Sequence, residues 1–325
     1  MKEKQKLDKQ WFKNHAASIT AYGGLVFCIV LFTVLTPIFG ESIWSERKLA
    51  TLMSNVIVTA LMSVGAVFVY ALGNMDISIG RQVGLYATLM VLLGNSTGSL
   101  LLPIVISIVL SVVFAFINGA VGDLLKMHPI IPSLVMMFIL TGVNTLIYVK
   151  LDTRNIALTS MTHDIFKNPI LMAAVLIVEV LVVSGLFNYT KFGKYARAIG
   201  ANQVTTAQSG VNLIKYKVIA YIIMGICVVV ASIFQMGYTG AAADATGTGF
   251  EMDVMVALIL GGMPLSGGMR SKVSCAVVGA FTFALLDVGL PMIGIPTKVT
   301  FLIKAVIFLA VICITCRKKD GTLPR

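Results

Sequence analysis

The sequence predicts an all-α, polytopic membrane protein of about ten transmembrane helices, one of them short or broken, with both termini cytoplasmic. Three observations carry that expectation. The 325 residues are 58% hydrophobic and 12% charged, with a mean hydropathy of +0.93, whereas soluble domains carry about 25% charged residues. Apolar runs of the length that crosses ~30 Å of hydrocarbon, about 20 residues, recur along the chain. The net charge of +11 sits in short segments beside those runs. Such a distribution is a membrane-orientation signal and sets aside a nucleic-acid partner.

The elements follow in order. Residues 1–16 form a basic cytoplasmic N-terminus opening MKEKQKLDKQWFKNH. The run 17–37 is too long for a signal-peptide core and lacks an A-x-A ending, so it reads as an uncleaved first span. Residues 51–75 give the second. No charge occurs from 82 to 122, and the turn-like GNSTGS at 94–99 splits this stretch into the third and fourth spans. Residues 130–149, opened by Pro129 and Pro132, are the fifth. Residues 169–187, with one acid at Glu179, are the sixth, and 218–237 are the seventh. The run 254–262 is apolar but short, which suits a re-entrant or broken helix lined by protein. Spans at 273–290 and 299–316 close the transmembrane domain 17–316, and 317–325 form a cytoplasmic tail.

Parity and charge agree with ten crossings. Outside the membrane this topology leaves only Arg47, Lys48, Lys150, Arg154, Lys167 and Lys298. Every other Lys or Arg except Lys304, which lies within the last span, falls inside. Membrane lipid is therefore an obligatory partner. No segment between spans is long enough to build an independent core.

Several chemistries are set aside. The five cysteines lie in apolar stretches, so a disulfide framework is not expected, and the lone C-x-x-C of Cys313 and Cys316 lacks further ligands. The three histidines are scattered, and no metal site is expected. No phosphate-binding G-x-x-x-x-G-K-[ST] loop is present, because Gly193-Lys194 lacks both the earlier glycine and the following Ser or Thr. The chain is therefore expected to be no enzyme, with no catalytic residues and no cofactor of its own. Glu179, Asp287 and Lys304 are isolated charges within spans; Asp287 and Lys304 could pair, though snorkelling accounts for each. An ion-coupled transporter would show partnered clusters instead.

Three polar blocks interrupt the apolar pattern. Within 188–217 lies YTKFGKYARAIGANQVTTAQSGV (189–211), which is basic, free of acids and punctuated by glycine. A short helix over 203–209 is expected there, capped by Asn202 and ended by Gly210. The second block is GNMDISIG (73–80), where Asp76 or Ser78 could accept backbone N–H bonds at the start of the third span. The third is GTGFEMDVMVALILGGMPLSGG (247–268). Glu251 and Asp253 open a short apolar segment there, and the pair Gly261-Gly262 permits close helix contact or unwound backbone.

Together these blocks resemble the ribose/xylose/galactose-type permease subunits of bacterial ABC importers. The pattern G-[KR]-Y-x-x-A-I-G-x-N-x(7)-G-[IV] is met by Gly193, Lys194, Tyr195, Ala198, Ile199, Gly200, Asn202, Gly210 and Val211. The second and third blocks match in order, and the resemblance covers about 52–316. It implies that Gly193, Lys194, Tyr195, Ala198, Gly200, Asn202, Ala207 and Gly210 belong to a cytoplasmic coupling loop that docks on an ATPase subunit. It implies that Asp76, Ser78, Glu251, Asp253, Gly261 and Gly262 shape a gate or translocation pathway. It further implies a second permease chain, homo- or heterodimeric, and a separate cytoplasmic ATPase that binds ATP and Mg. An extracytoplasmic solute-binding protein and a bacterial inner-membrane location complete what it implies. A sugar is the implied solute, with nucleosides or autoinducer-type compounds as the alternative.

Overall fold

The structure, a computed structural model, describes residues 2–40, 42–160 and 162–315; side-chain surroundings are described for these except 2–19, 297, 298, 301, 312, 314 and 315. The expected tail at 317–325 and Cys316 lie outside the described residues.

Among the described residues seven helices are long and apolar enough to cross a membrane. They are Thr20–Phe39 within α1 (Lys2–Phe39), α2 (Glu46–Ala71), α4 (Leu101–Leu124), α5 (Ile130–Lys150), α6 (Pro169–Tyr189), α9 (Leu213–Thr239) and α11 (Val273–Met292). The other described helices are α3 (Ile79–Thr97), α7 (Lys191–Ala201), α8 (Gln203–Gln208), α10 (Phe250–Leu260), α12 (Thr297–Thr315) and a single 3-10 turn at Asp164–Lys167.

α2 is the hub. Its residues from Val56 to Ala71 are all buried, against α9 on one side and α11 on another. Small residues make that close approach possible: Gly65 stands against the Cys227 side chain and the Met224 backbone of α9. α9 also packs on α4 and α3, and α11 on α10 and α1. The peripheral helices turn large apolar side chains outward, among them Phe27 and Ile38 of α1, Phe116 of α4, Phe138 of α5 and Leu181 of α6. An apolar exterior around a core rich in small and polar residues is the pattern of a membrane protein.

Two ends of the molecule are defined by α9, whose 27 residues run about 40 Å. At one end α8 leads into α9. At the other, β2 (Ala241–Ala243) follows α9 and pairs antiparallel with β1 (Asn155–Ala157), in register Asn155↔Ala243. This two-stranded ribbon adds to the all-helical expectation. It ties the α5–α6 connection to the segment after α9, and Asn95 near the end of α3 holds the same connection by donating to the Ala157 carbonyl at 2.8 Å.

Three sequence expectations need correction. The turn expected over 94–99 is mostly helical: α3 runs through Thr97, and only at Gly98, φ +66°, does the backbone turn left-handed. The second span ends at Ala71 rather than Met75, because Gly73 adopts φ +78° and 72–78 leave the helix. Snorkelling does not describe Lys304, which is 9% exposed, donates to Asp287 and lies 4.4 Å from the Phe283 ring centroid. The pairing of the two, which the sequence left open, is present.

Candidate functional site: a backbone junction at the end of α2

The connector 72–78 between α2 and α3 is built around Asp76. One carboxylate oxygen accepts the Ser78 N–H at 2.7 Å and the Ser78 hydroxyl at 2.6 Å; the other accepts from the Asn118 amide at 3.1 Å. Ser78 Oγ in turn accepts from Gln82 at 2.9 Å and from Asn118 at 3.1 Å. All four side chains are buried. The acid thus accepts a backbone N–H at the head of α3, as its position suggested. Ser78 is the residue before α3, but its side chain makes no capping bond.

The third block lies along this connector. Gly249, at φ +89°, precedes α10, and Glu251 and Asp253 occupy its first turn, where the helix dipole favours acids. Gly80 leaves room for the Gly247 carbonyl and the Glu251 carboxyl, and Gly84 leaves room for the Thr246 carbonyl. At the far end of α10, Gly261 meets the Cys275 carbonyl, while Gly279 of α11 meets the Ala257 carbonyl. Each helix thereby nests against the other's backbone, the close contact that the glycine pair permits. Gly262, at φ +85°, then turns the chain into 263–268.

The 188–217 segment is two helices rather than one. Thr190 caps α7 by accepting the Phe192 N–H at 3.2 Å. Asn202 caps α8 by accepting the Thr205 N–H at 3.0 Å, and Gly210, φ +81°, follows its end. The capping by Asn202 and the stop at Gly210 are as expected; α7 was not foreseen. α7 buries Gly193, Ala196 and Ile199 and exposes Lys191 and Lys194. Tyr195 packs on Tyr216 with ring centroids 4.5 Å apart, and Arg197 lies 4.9 Å from the Phe187 ring centroid. On α8 Ala207 is exposed, and so is the apolar Val204.

These blocks meet at one carbonyl. Ala71, the last residue of α2, accepts the Gly268 N–H at 2.8 Å. Gly200 of α7 sits against the same Ala71 carbonyl and against the Gly268 nitrogen, and Gly267 is packed against the Gly73 nitrogen and the Ala71 carbonyl. A side chain at 200 would occupy the space of the carbonyl. The contact is therefore backbone on backbone, which only glycine allows.

A side-chain bridge reinforces the junction. Lys217, in the second turn of α9, donates to Asp123 of α4 at 2.5 Å and to Gln203 of α8 at 3.2 Å. The Lys217 side chain is 3% exposed. Asp123, Lys217, Gln82 and Asn118 were not singled out in the sequence. Asp123 and Lys217 are 94 positions apart, and nothing in local spacing joins them. Among the described residues no three His, Cys, Asp or Glu side chains come together to hold a metal ion.

The sequence of the chain is similar to those of known proteins. The chain is 25% identical over 319 residues to the ribose import permease protein RbsC of Escherichia coli K12, covering 96% of each. It is 26% identical over 317 residues to the galactose/methyl galactoside import permease protein MglC of the same strain, covering 91% of this chain and 94% of the relative. It is 26% identical over 290 residues to the autoinducer 2 import system permease protein LsrC of Photorhabdus luminescens, covering 89% and 87%. No solved structure matches. The family model described as branched-chain amino acid transport system / permease component matches residues 48–312, and the chain belongs to that family.

Proposed function

We propose that this chain is the transmembrane permease subunit of an ATP-binding-cassette importer and forms the translocation pathway for a sugar. The observation that carries this reading is the convergence of α2, α7 and the 263–268 turn on the Ala71 carbonyl. α7 and α8 form a small polar platform joined directly to the most buried helix of the body, so force applied there reaches the core without crossing flexible chain. The relatives named for ribose, galactose and autoinducer 2 import support the solute class. The equal identity to the autoinducer 2 permease favours an autoinducer-type solute as the second reading.

In this reading ten segments cross the inner membrane of a bacterium: the seven long apolar helices, α3, α12, and the stretch 240–268 containing α10. Both termini and α7–α8 are cytoplasmic. ATP and Mg are bound by a separate ATPase subunit that docks on Lys194, Tyr195, Ala207 and their neighbours. A solute-binding protein delivers cargo from the other side, and a second permease chain completes the pathway. Asp76 and Ser78 hold the connector, and Glu251, Asp253, Gly261 and Gly262 shape and hinge the gate. No bond in the solute is broken, so this chain performs no catalysis.

Ala207→Arg places a charge on the exposed face of α8, and Gly200→Pro breaks α7 at the junction. Both are expected to abolish co-purification of the ATPase while membrane insertion persists. An ATPase that still co-purifies with both variants at wild-type yield would overturn the coupling assignment.

A further inference from the structure

We infer that the cleft between α2, α9, α10 and α11 is a recognition site for a neutral, polyhydroxylated solute of monosaccharide size, with Asp253 as its central hydroxyl acceptor. The inference rests on the permease reading above and deepens it.

The cleft has a volume of about 240 Å³. That lies just below the range of about 300–1,000 Å³ typical of pockets for drug-sized ligands, so it suits a smaller solute. Its wall carries Asn55 of α2, Gln235 and Tyr238 of α9, Phe250 and Asp253 of α10, and Asp287 of α11. A polar hollow among membrane helices is costly unless water or a solute fills it. No described residue hydrogen-bonds the side chains of Asn55, Gln235 or Asp253, in contrast to the fully bonded network around Asp76. Two amides and a carboxylate thus border the cleft with donors and acceptors uncommitted. A hydroxyl both donates and accepts, and amide and carboxylate groups match both functions. Phe250 and Tyr238 add ring surface for the apolar face of a sugar.

Charge argues for a neutral solute. Asp287 is paired with Lys304, which also lies over the Phe283 ring. Its charge is balanced within the wall, and among the described residues Asp253 is the wall's one carboxylate without an ion-pair partner, with the acid Glu251 in the same helical turn. This is too little for a divalent cation, which takes several oxygen ligands, and it offers nothing to an anion.

The cleft is also mechanically connected. Asp253 lies in the first turn of α10, an 11-residue rod about 17 Å long. Past its other end Gly268 bonds to Ala71 beside Gly200. A shift of α7 is therefore delivered along α10 to the wall that holds the solute, and α10 couples engagement of the platform to solute release.

The test uses cells producing the chain with its own ATPase and binding protein, supplied with radiolabelled D-ribose, D-xylose or D-galactose. Deleting the chain identifies the sugar whose uptake depends on it. Asp253→Asn, Asn55→Leu and Gln235→Leu are then expected to lower the Vmax of that uptake roughly tenfold each, the effect of one lost hydrogen bond to a charged or buried polar group. KM stays near wild type, because capture belongs to the binding protein, and so do membrane abundance and ATPase co-purification. In a second arm, Asn55→Cys is treated with a membrane-impermeant methanethiosulfonate; it should react readily, and the transported sugar should slow the reaction. Wild-type uptake in all three variants, or an unreactive Cys at 55, overturns the site. A variant that loses ATPase co-purification has failed in assembly, and the thiol arm then decides. If deletion changes uptake of none of the three sugars, the sugar-permease reading itself falls.

Discussion

Lys217 is the residue on which the platform's position depends most. Its ammonium satisfies Asp123 and Gln203 at once, linking α9, α4 and α8. Lys217→Met would leave the Asp123 carboxylate without its partner. Removing one member of a buried pair costs about 3–5 kcal/mol, and the 23% exposure of Asp123 puts this case at the lower end. The double variant Lys217→Met/Asp123→Leu should recover most of that loss, since replacing both charges by apolar groups is near neutral. Thermal unfolding of the detergent-purified wild type, Lys217→Met, Asp123→Leu and the double variant measures the cycle. Additive losses in the double variant would show that the two residues act separately. At this scale legibility in the sequence was uneven. Gly200, Gly261 and Asn202 were visible because glycine and capping residues have local signatures. The Asp123–Lys217–Gln203 bridge was not, because its partners come from three helices and sequence carries no register between them.

Among the elements, α8 is the most exposed to change. It has six residues, too few to stand alone, and relies on its Asn202 cap and on Lys217. Asn202→Ala is expected to cost about 1 kcal/mol, felt locally. Hydrogen exchange should show faster turnover at the amides of 204–208 with no change in α9; uniform acceleration across both helices would mean that α8 is not a separate unit. The long spans were readable to within a few residues, because a charge-free run of membrane length is rarely anything but a span. Their ends were less so. α3 continues through a sequence of turn-forming residues until the left-handed Gly98 caps it locally, and α2 stops before its apolar run does, where Gly73 packs against the Ser266 carbonyl. α7 was hidden by its own composition: a basic, glycine-bearing stretch looks like solvated loop, and its helicity comes from Thr190 and from packing on α2, α6 and α9.

At the scale of the whole molecule, orientation is the decisive expectation. With Cys313, the exposed thiol among the described residues, and Cys316 both replaced by Ser, Ala207→Cys should be modified by an impermeant maleimide only in inverted vesicles, and Asn155→Cys in intact cells. Labelling of position 207 in intact cells would reverse the topology and leave a cytoplasmic ATPase nothing to bind. Composition made the membrane class evident, and motif order pointed to the family. The convergence of those motifs was not evident, since blocks separated by more than a hundred residues meet only once α2 and α9 have packed. Because that meeting point is a peptide carbonyl between glycines rather than a pair of matched side chains, its fit owes nothing to residue chemistry on the outward faces of α7 and α8. Those faces can be rewritten to accept a different motor while the transmission behind them stays the same, so permeases of this design should tolerate exchange of their drive subunits.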